Sequence, residues 1–273
     1  MAGLYQTCYE TQDGGTPRVT RRRIDQLKRL LRPLWHRYCG QYLAEVLRKA
    51  HGAVLEVGCG TGELLEELAM RGCRVHGVDI NPTSIQACRR KGLPATLGEL
   101  DSLAFPPDSF DTVILWHALE HLPSPRGGLE RIRHFLRPGG SLFIYCPNAE
   151  SYLARLFGQY WYQWHLPLHF YHFTPASLRR LAQLTDFTVV RLRTVTPEFF
   201  LAYSLDLYGR AGRGSALKTV LRSGLHRTVC FRLAVAPLLR LLDWCRRGQG
   251  ECLQVELMKP GGGGGCRELP RSS

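Results

Sequence analysis

The residues able to do chemistry gather first around a glycine loop. Glu56 stands two positions before Gly58-Cys59-Gly60-Thr61-Gly62, and Asp79-Ile80 closes the next apolar run. Glycines that follow a strand and open a helix permit a tight turn and close backbone approach by a ligand. A pyrophosphate favours helix N-terminal amides with no acid beside them, and Glu56 would repel it. The spacing G-x-G-x-G rather than G-x-G-x-x-G also argues against a nicotinamide cofactor. A cationic ligand with an amino-acid end welcomes both carboxylates, and Asp79, at the carboxyl end of a strand, is placed to accept two ribose hydroxyls. Those demands describe S-adenosyl-L-methionine.

A second group follows the strand FDTVIL. His117 and His121 come directly after it, next to Trp116, and so face the crevice of a parallel sheet. Their i, i+4 spacing would put them on one helical face, but a turn is expected there first. An imidazole near neutral pH is the natural base for an acceptor that must lose a proton, such as a hydroxyl. A third group, YWYQWHLPLHFYHF from Tyr160 to Phe173, concentrates aromatics and imidazoles. It reads either as a lid carrying substrate contacts at His165, His169 and Tyr171 or as an aromatic core segment anchoring the next helix. Its imidazole spacing also suits a metal, but no neighbouring Cys or carboxylate completes a set, so none is expected.

The elements that would position these residues alternate in a β-α pattern, which predicts a parallel sheet covered by helices. Strands are expected at 53–57, 74–78, 96–97, 110–115, 141–145, 187–195 and 252–258. Helices are expected at 63–70, from Asn81-Pro82 to Arg90, from Arg126 to Leu136 with a stop at Pro138-Gly139-Gly140, and from Thr174-Pro175 to Leu184. The long gap before the last strand leaves 197–250 as an insertion of two or more apolar, Arg-studded helices. The GGGGG run past Lys259 reads as a disordered tail.

At this level the chain resembles the class I S-adenosylmethionine-dependent methyltransferase superfamily, in the broad group that includes ubiquinone- and menaquinone-type small-molecule methyltransferases. The likeness covers roughly residues 50–195. It rests on VLEVGCGTG, GVDI, GELDSLAFPPDSFDTVILWHALEHL and LRPGGSLFIYCPN. It implies a Rossmann-like, doubly wound, seven-stranded and mostly parallel α/β sheet with the last strand antiparallel. It further implies that Gly58, Gly60 and Gly62 pass along the methionine and ribose, that Asp79 takes the ribose, and that Glu99, with the Leu100 backbone beside it, meets the adenine amine. The family often has Asp where Glu99 stands. In the family, the Glu120-His121 pair often serves a structural or substrate-side role.

The net charge of +13 is unevenly spread: +6 over residues 1–50, zero over 51–200 and +7 over 201–273. The organisation expected is a basic helical extension (1–50), a cofactor-binding core (51–196), a basic helical cap (197–250), a final core strand (251–259) and the tail (260–273). The basic flanks suit solvated helix faces or peripheral contact with a membrane, and the acceptor is read as a small or lipid-linked molecule. A nucleic-acid substrate is disfavoured, because the place after FDTVIL holds Trp116-His117-Ala118-Leu119 rather than an Asn/Asp-Pro-Pro-aromatic box. A non-catalytic cofactor-binding regulator is the remaining alternative. The scattered cysteines, and a start without the basic and apolar regions of a signal peptide, read as cytoplasmic, with membrane association left open.

Overall fold

In the computed structural model, residues 41–210 and 229–261 are described. Most of the expected basic extension, the middle of the insertion and the glycine-rich tail therefore lie outside the described residues. Fifteen elements follow in chain order: α1 (Gln41–Lys49), β1 (Ala53–Val57), α2 (Glu63–Met70), β2 (Arg74–Asp79), α3 (Pro82–Arg90), β3 (Ala95–Leu97), β4 (Phe110–Trp116), α4 (Pro125–Phe135), β5 (Leu136–Pro147), α5 (Tyr152–Phe157), α6 (Pro175–Leu184), β6 (Thr188–Val195), α7 (Glu198–Arg210), α8 (Val229–Cys245) and β7 (Cys252–Met258). The strands form one sheet in the order β3-β2-β1-β4-β5-β7-β6. All neighbours pair in parallel except β7, which runs antiparallel to both β5 and β6. The expected fold class is the one observed.

Local chemistry explains the boundaries. Asn81 caps α3 by accepting from the Thr83 amide, with Pro82 in the first turn, and Thr174 and Ser177 form a capping box on α6. Helix α4 ends earlier than the Pro-Gly-Gly signal suggested. Leu136 is already extended and pairs with Phe110, after which the register jumps to Thr112 opposite Ser141. Pro138 disfavours helical geometry in the residue before it, so the chain turns extended at once and Arg137–Gly140 form a bulge inside a longer β5.

Val54, Leu55, Val113, Ile114, Leu115, Leu142 and Ile144 make the centre of the sheet almost fully buried. Strands buried on both faces are near-continuous apolar runs, which is why VLEV and FDTVIL are so plain in the sequence. Strand order reverses between β1 and β4, and a crevice opens at such a switch point beyond the strands' carboxyl ends. On the far edge, buried Glu45 of α1 pairs with Arg191 at 2.9 Å and Arg193 at 2.8 Å, fixing α1 against β6.

Candidate active site

A cavity of about 260 Å³ occupies the crevice. Of the sequence-predicted residues, Gly58, Gly60, Asp79, Ile80, Glu99, Leu100, Trp116, His117 and His121 line it. Its wall also includes Ser84, Asp101, Ser124 and Gly128, none of which the sequence singled out as a site residue, and Phe170 from the aromatic segment. Their common signal is position: each lies in a turn or a first helical turn at the sheet's carboxyl edge, or in the segment that folds over it.

The loop itself is held by Asp79. One carboxylate oxygen accepts from the Gly60 amide at 2.8 Å and the other from the Asn81 amide at 2.8 Å. Each oxygen keeps a second lone pair for a ligand. Gly58 has φ +76, and a Cβ there would stand 2.9 Å from the Ala118 Cβ, so only glycine lets the loop pass the turn after β4. Gly60, at φ +53, has nothing within 4 Å of where a Cβ would be: the loop presents bare backbone to open space.

Three loop residues, and Glu56 in β1, lie outside the cavity lining. Cys59 turns into the core toward Cys88, and burial pushes its thiol strongly up, which makes it a packing residue. Thr61 donates to Glu63 on the surface. Gly62 caps α2 in left-handed geometry. Glu56 is buried, its Oε2 has no hydrogen-bond partner, and desolvation, with help from Glu63 and Asp79, raises its carboxyl well above the usual range. A buried acid with a raised carboxyl beneath a glycine loop suits a cationic ligand, since a nearby positive charge favours the ionised form. An orphaned acceptor and an open glycine cradle together fit the amino-acid end of S-adenosylmethionine.

Beyond the loop, the chain after β4 turns sharply. His117 adopts φ +51, its amide donates to the Tyr145 carbonyl at 2.8 Å, and a 3-10 turn spans Leu119–His121. The two imidazoles therefore do not share a helical face, as the expected turn required. His117 Nδ1 lies 3.0 Å from Glu120 Oε1, whereas its Nε2 is buried with no partner. The ring sits edge-on to Tyr145 at 4.9 Å and tilted to Phe200 at 5.5 Å. Glu120 is wholly buried. Burial alone would raise its carboxyl, but the hydrogen bond from His117 and the facing His117, His121 and His169 outweigh that and hold it below the usual carboxylate range.

The aromatic segment folds over this turn. The Phe170 amide donates to the Glu120 carbonyl at 2.9 Å, and His121 Nδ1 meets the Leu168 carbonyl at 2.9 Å. His169 is buried with Nδ1 on the Gln163 carbonyl, and burial pulls its imidazole down to about 4. His165 packs against His169 at 4.9 Å, and burial lowers it as well. Tyr171 is half exposed, donates to the Pro123 carbonyl and stays outside the cavity lining. Core and lid thus divide residue by residue, with Trp161 and His169 buried and Phe170 at the cavity mouth. The expectation that no carboxylate joins these imidazoles is corrected. Glu120, His121 and His169 bring their side-chain donors within 4.8 Å of one another, a proximity created by the turn after β4 and invisible in the segment's own spacing.

Comparison with known proteins gives the family and the fold. A family model described as "Methyltransferase domain" matches residues 24–192. The ubiquinone biosynthesis O-methyltransferase of Xylella fastidiosa is 34% identical over 110 residues, 38% of this chain and 45% of that protein. The match spans about half the length of that relative. Among solved structures, a chain in the Haloferax volcanii complex of the Trm112 methyltransferase activator superposes with a TM-score of 0.56 at 20% identity, over 85% of this chain and 93% of that one. Phosphoethanolamine N-methyltransferase 2 of Haemonchus contortus, in complex with S-adenosyl-L-methionine, gives 0.54 at 21% identity, over 81% and 52%. At such identities the structures speak to the fold alone. The matched family model covers more than half of the sequence, including the glycine loop, Asp79 and His117, and the chain belongs to the methyltransferase-domain family.

Proposed function

We propose that this chain is an S-adenosylmethionine-dependent methyltransferase acting on a hydroxyl of a small or lipid-linked acceptor, with His117 as the general base. The observation that carries the reading is His117 itself. His117 lines the cavity, its Nε2 is buried and unpartnered, and its Nδ1 lies on the buried Glu120. When bound, S-adenosylmethionine supplies an electrophilic methyl on a sulfonium.

The chain's own residues then have separable tasks. Asp79 and Glu99 hold the ribose and adenine ends, the Gly58–Gly60 backbone passes beside the amino-acid end, and Glu56 offers that end a counter-charge. Glu120 can only accept while ionised, so it selects the tautomer in which His117 Nδ1 carries the proton and Nε2 has a lone pair. That nitrogen takes the acceptor's proton as the hydroxyl oxygen is methylated, and the developing imidazolium is stabilised by Glu120. Such a base contributes about 10²–10⁴-fold, the remainder coming from positioning. The aromatic faces of Trp116, Tyr145 and Phe200 around His117 favour a flat or apolar acceptor. Residues 51–196 form the cofactor core in this reading, and α7, with Phe200 against His117, covers the acceptor side.

The name of the Xylella relative gives oxygen methylation in ubiquinone biosynthesis as the reaction of that protein, which supports a hydroxyl acceptor here. The test is transfer of labelled methyl into lipid, small-molecule, RNA and protein fractions of a cell extract. Label in the lipid or small-molecule fraction, lost in His117→Ala, supports the reading; label confined to RNA or protein sinks it.

A further inference from the structure

Helix α8 is apolar on the wrong side. Its inner face packs Ala236 and Leu239, and Asp243 turns inward to accept from the Thr196 amide at 2.7 Å and the Thr196 hydroxyl at 2.6 Å. Its outer face carries Ala234, Pro237, Leu238, Leu241 and Trp244, all exposed, at spacings of three and four residues. Leu238 is 61% exposed, Leu241 56% and Trp244 67%. Tyr203 and Leu207 are exposed on α7, which packs against α8. An exposed apolar helix face of this kind marks a place where something docks.

Charge decides what. Between residues 208 and 250 there are nine Arg or Lys and a single acid, Asp243, which is engaged at Thr196. Arg246 and Arg247 follow Trp244 directly and are exposed. Two copies meeting through this face would bring the exposed Arg246 and Arg247 of each together, which disfavours a symmetric dimer. No helix among the described residues is long and apolar enough to cross a membrane. An apolar helix face ending in Trp and Arg, on a strongly basic segment, has the chemistry of a helix lying in the interface of an anionic bilayer.

We propose that the outer face of α8, with the adjoining residues of α7, docks this protein on an anionic lipid surface. Leu238, Leu241 and Trp244 enter the headgroup layer, and Arg246 and Arg247 pair with lipid phosphates. Each basic residue near such a surface is worth about 1 kcal/mol, roughly fivefold in partition, and the apolar side chains add their burial. The inner side of α7 carries Phe200 against His117. Docking therefore sets one wall of the proposed acceptor site next to the bilayer, a route for a lipid-phase acceptor. The docking surface stands independently of the methyl-transfer reading, and only this route rests on it.

The experiment is co-sedimentation of the full chain with vesicles of phosphatidylcholine alone or with about 30% phosphatidylglycerol, at salt raised from about 0.1 M to 0.5 M. Anionic vesicles should bind at least about tenfold better than neutral ones, with most of that lost at high salt. The double variant Leu241→Asp with Trp244→Asp should lose about tenfold or more, and Arg246→Ala with Arg247→Ala about twenty-five-fold, with melting temperature and S-adenosylhomocysteine affinity unchanged. Equal partition onto both vesicle types, or wild-type binding by the Asp variants, overturns the proposal. So does a wild-type dimer in light scattering that the Asp variants split, which would assign the face to a second copy. Loss of S-adenosylhomocysteine binding with vesicle binding intact would count against the cofactor reading and not against this one.

Discussion

The two halves of the sheet are built by different means. On the β3-β2-β1-β4 side the site is made by backbone, loop amides and glycines, with the carboxylates of Asp79 and Glu99 at or just past the ends of β2 and β3, all placed by local sequence. On the β5-β7-β6 side the surrounding scaffold is held by side chains that meet across long separations. Asn148 donates to the Gly248 and Gly250 carbonyls, and buried Glu251 accepts from Trp161 Nε1 at 2.6 Å and Ser151 Oγ at 3.0 Å. Asp243 of α8 is locked to Thr196 at the end of β6. In the proposed reading the cofactor side is a device of local sequence, whereas the acceptor side depends on contacts between segments distant in the chain.

If that division is right, changes on the acceptor side should damage turnover or stability while sparing cofactor affinity. His117→Ala should lower the turnover number about 10²–10⁴-fold, with S-adenosylhomocysteine affinity within about twofold by calorimetry. A comparable loss of affinity would show that the halves are not separable. Trp161→Ala removes a side chain that is 1% exposed together with the donor to Glu251, and should cost about 3–5 kcal/mol in denaturant unfolding.

Two ionisable groups sharpen the contrast through opposite pH responses. Burial raises the Glu251 carboxyl to about 8, partly offset by Trp161 and Ser151. The folded state then keeps a proton that the unfolded chain gives up from its ordinary range. Stability should fall as pH rises from about 4.5 toward 8, at up to about 1.4 kcal/mol per pH unit, and Glu251→Gln should flatten that fall in thermal melts. His169 behaves the other way. Its imidazole is neutral in the fold down to about 4, so its contribution is lost as pH drops from about 6.5 to 4, and His169→Gln should soften acid unfolding. The smallest effect is expected at Glu56. A cationic ligand should draw its raised carboxyl back to the ionised form, so S-adenosylmethionine affinity should rise with pH and proton release should appear when heats are compared in buffers of different ionisation enthalpy. Identical heats, corrected for dilution, would remove Glu56 from the site.

The same division explains what was legible in the sequence. VLEVGCGTG and Asp79 announced themselves because strand, loop and helix follow one another and each residue's task is set by its neighbours. The seven strands were found, since buried parallel strands are unbroken apolar runs. The start of β5 was misplaced because Pro138-Gly139-Gly140 marks a bulge as readily as a helix end. Glu120 was seen in the sequence as part of a pair, but its place at the centre of three imidazoles depends on the turn at His117 and on a segment some fifty residues later, as the Phe170 amide on its carbonyl shows. Phe200 and Glu251 gave no signal at all, because their partners are distant in the chain.

The claim underlying all of this is that the crevice between β1 and β4 holds S-adenosylmethionine through Asp79 and the glycine loop. Calorimetric titration of S-adenosylhomocysteine into the wild-type chain and into Asp79→Ala tests it most directly. The account predicts saturable one-to-one binding, no binding of NAD, and at least about thirtyfold weaker affinity in the folded variant, equal to about 2 kcal/mol from lost charged hydrogen bonds. Unchanged affinity in Asp79→Ala, or no binding to the wild type, would contradict it.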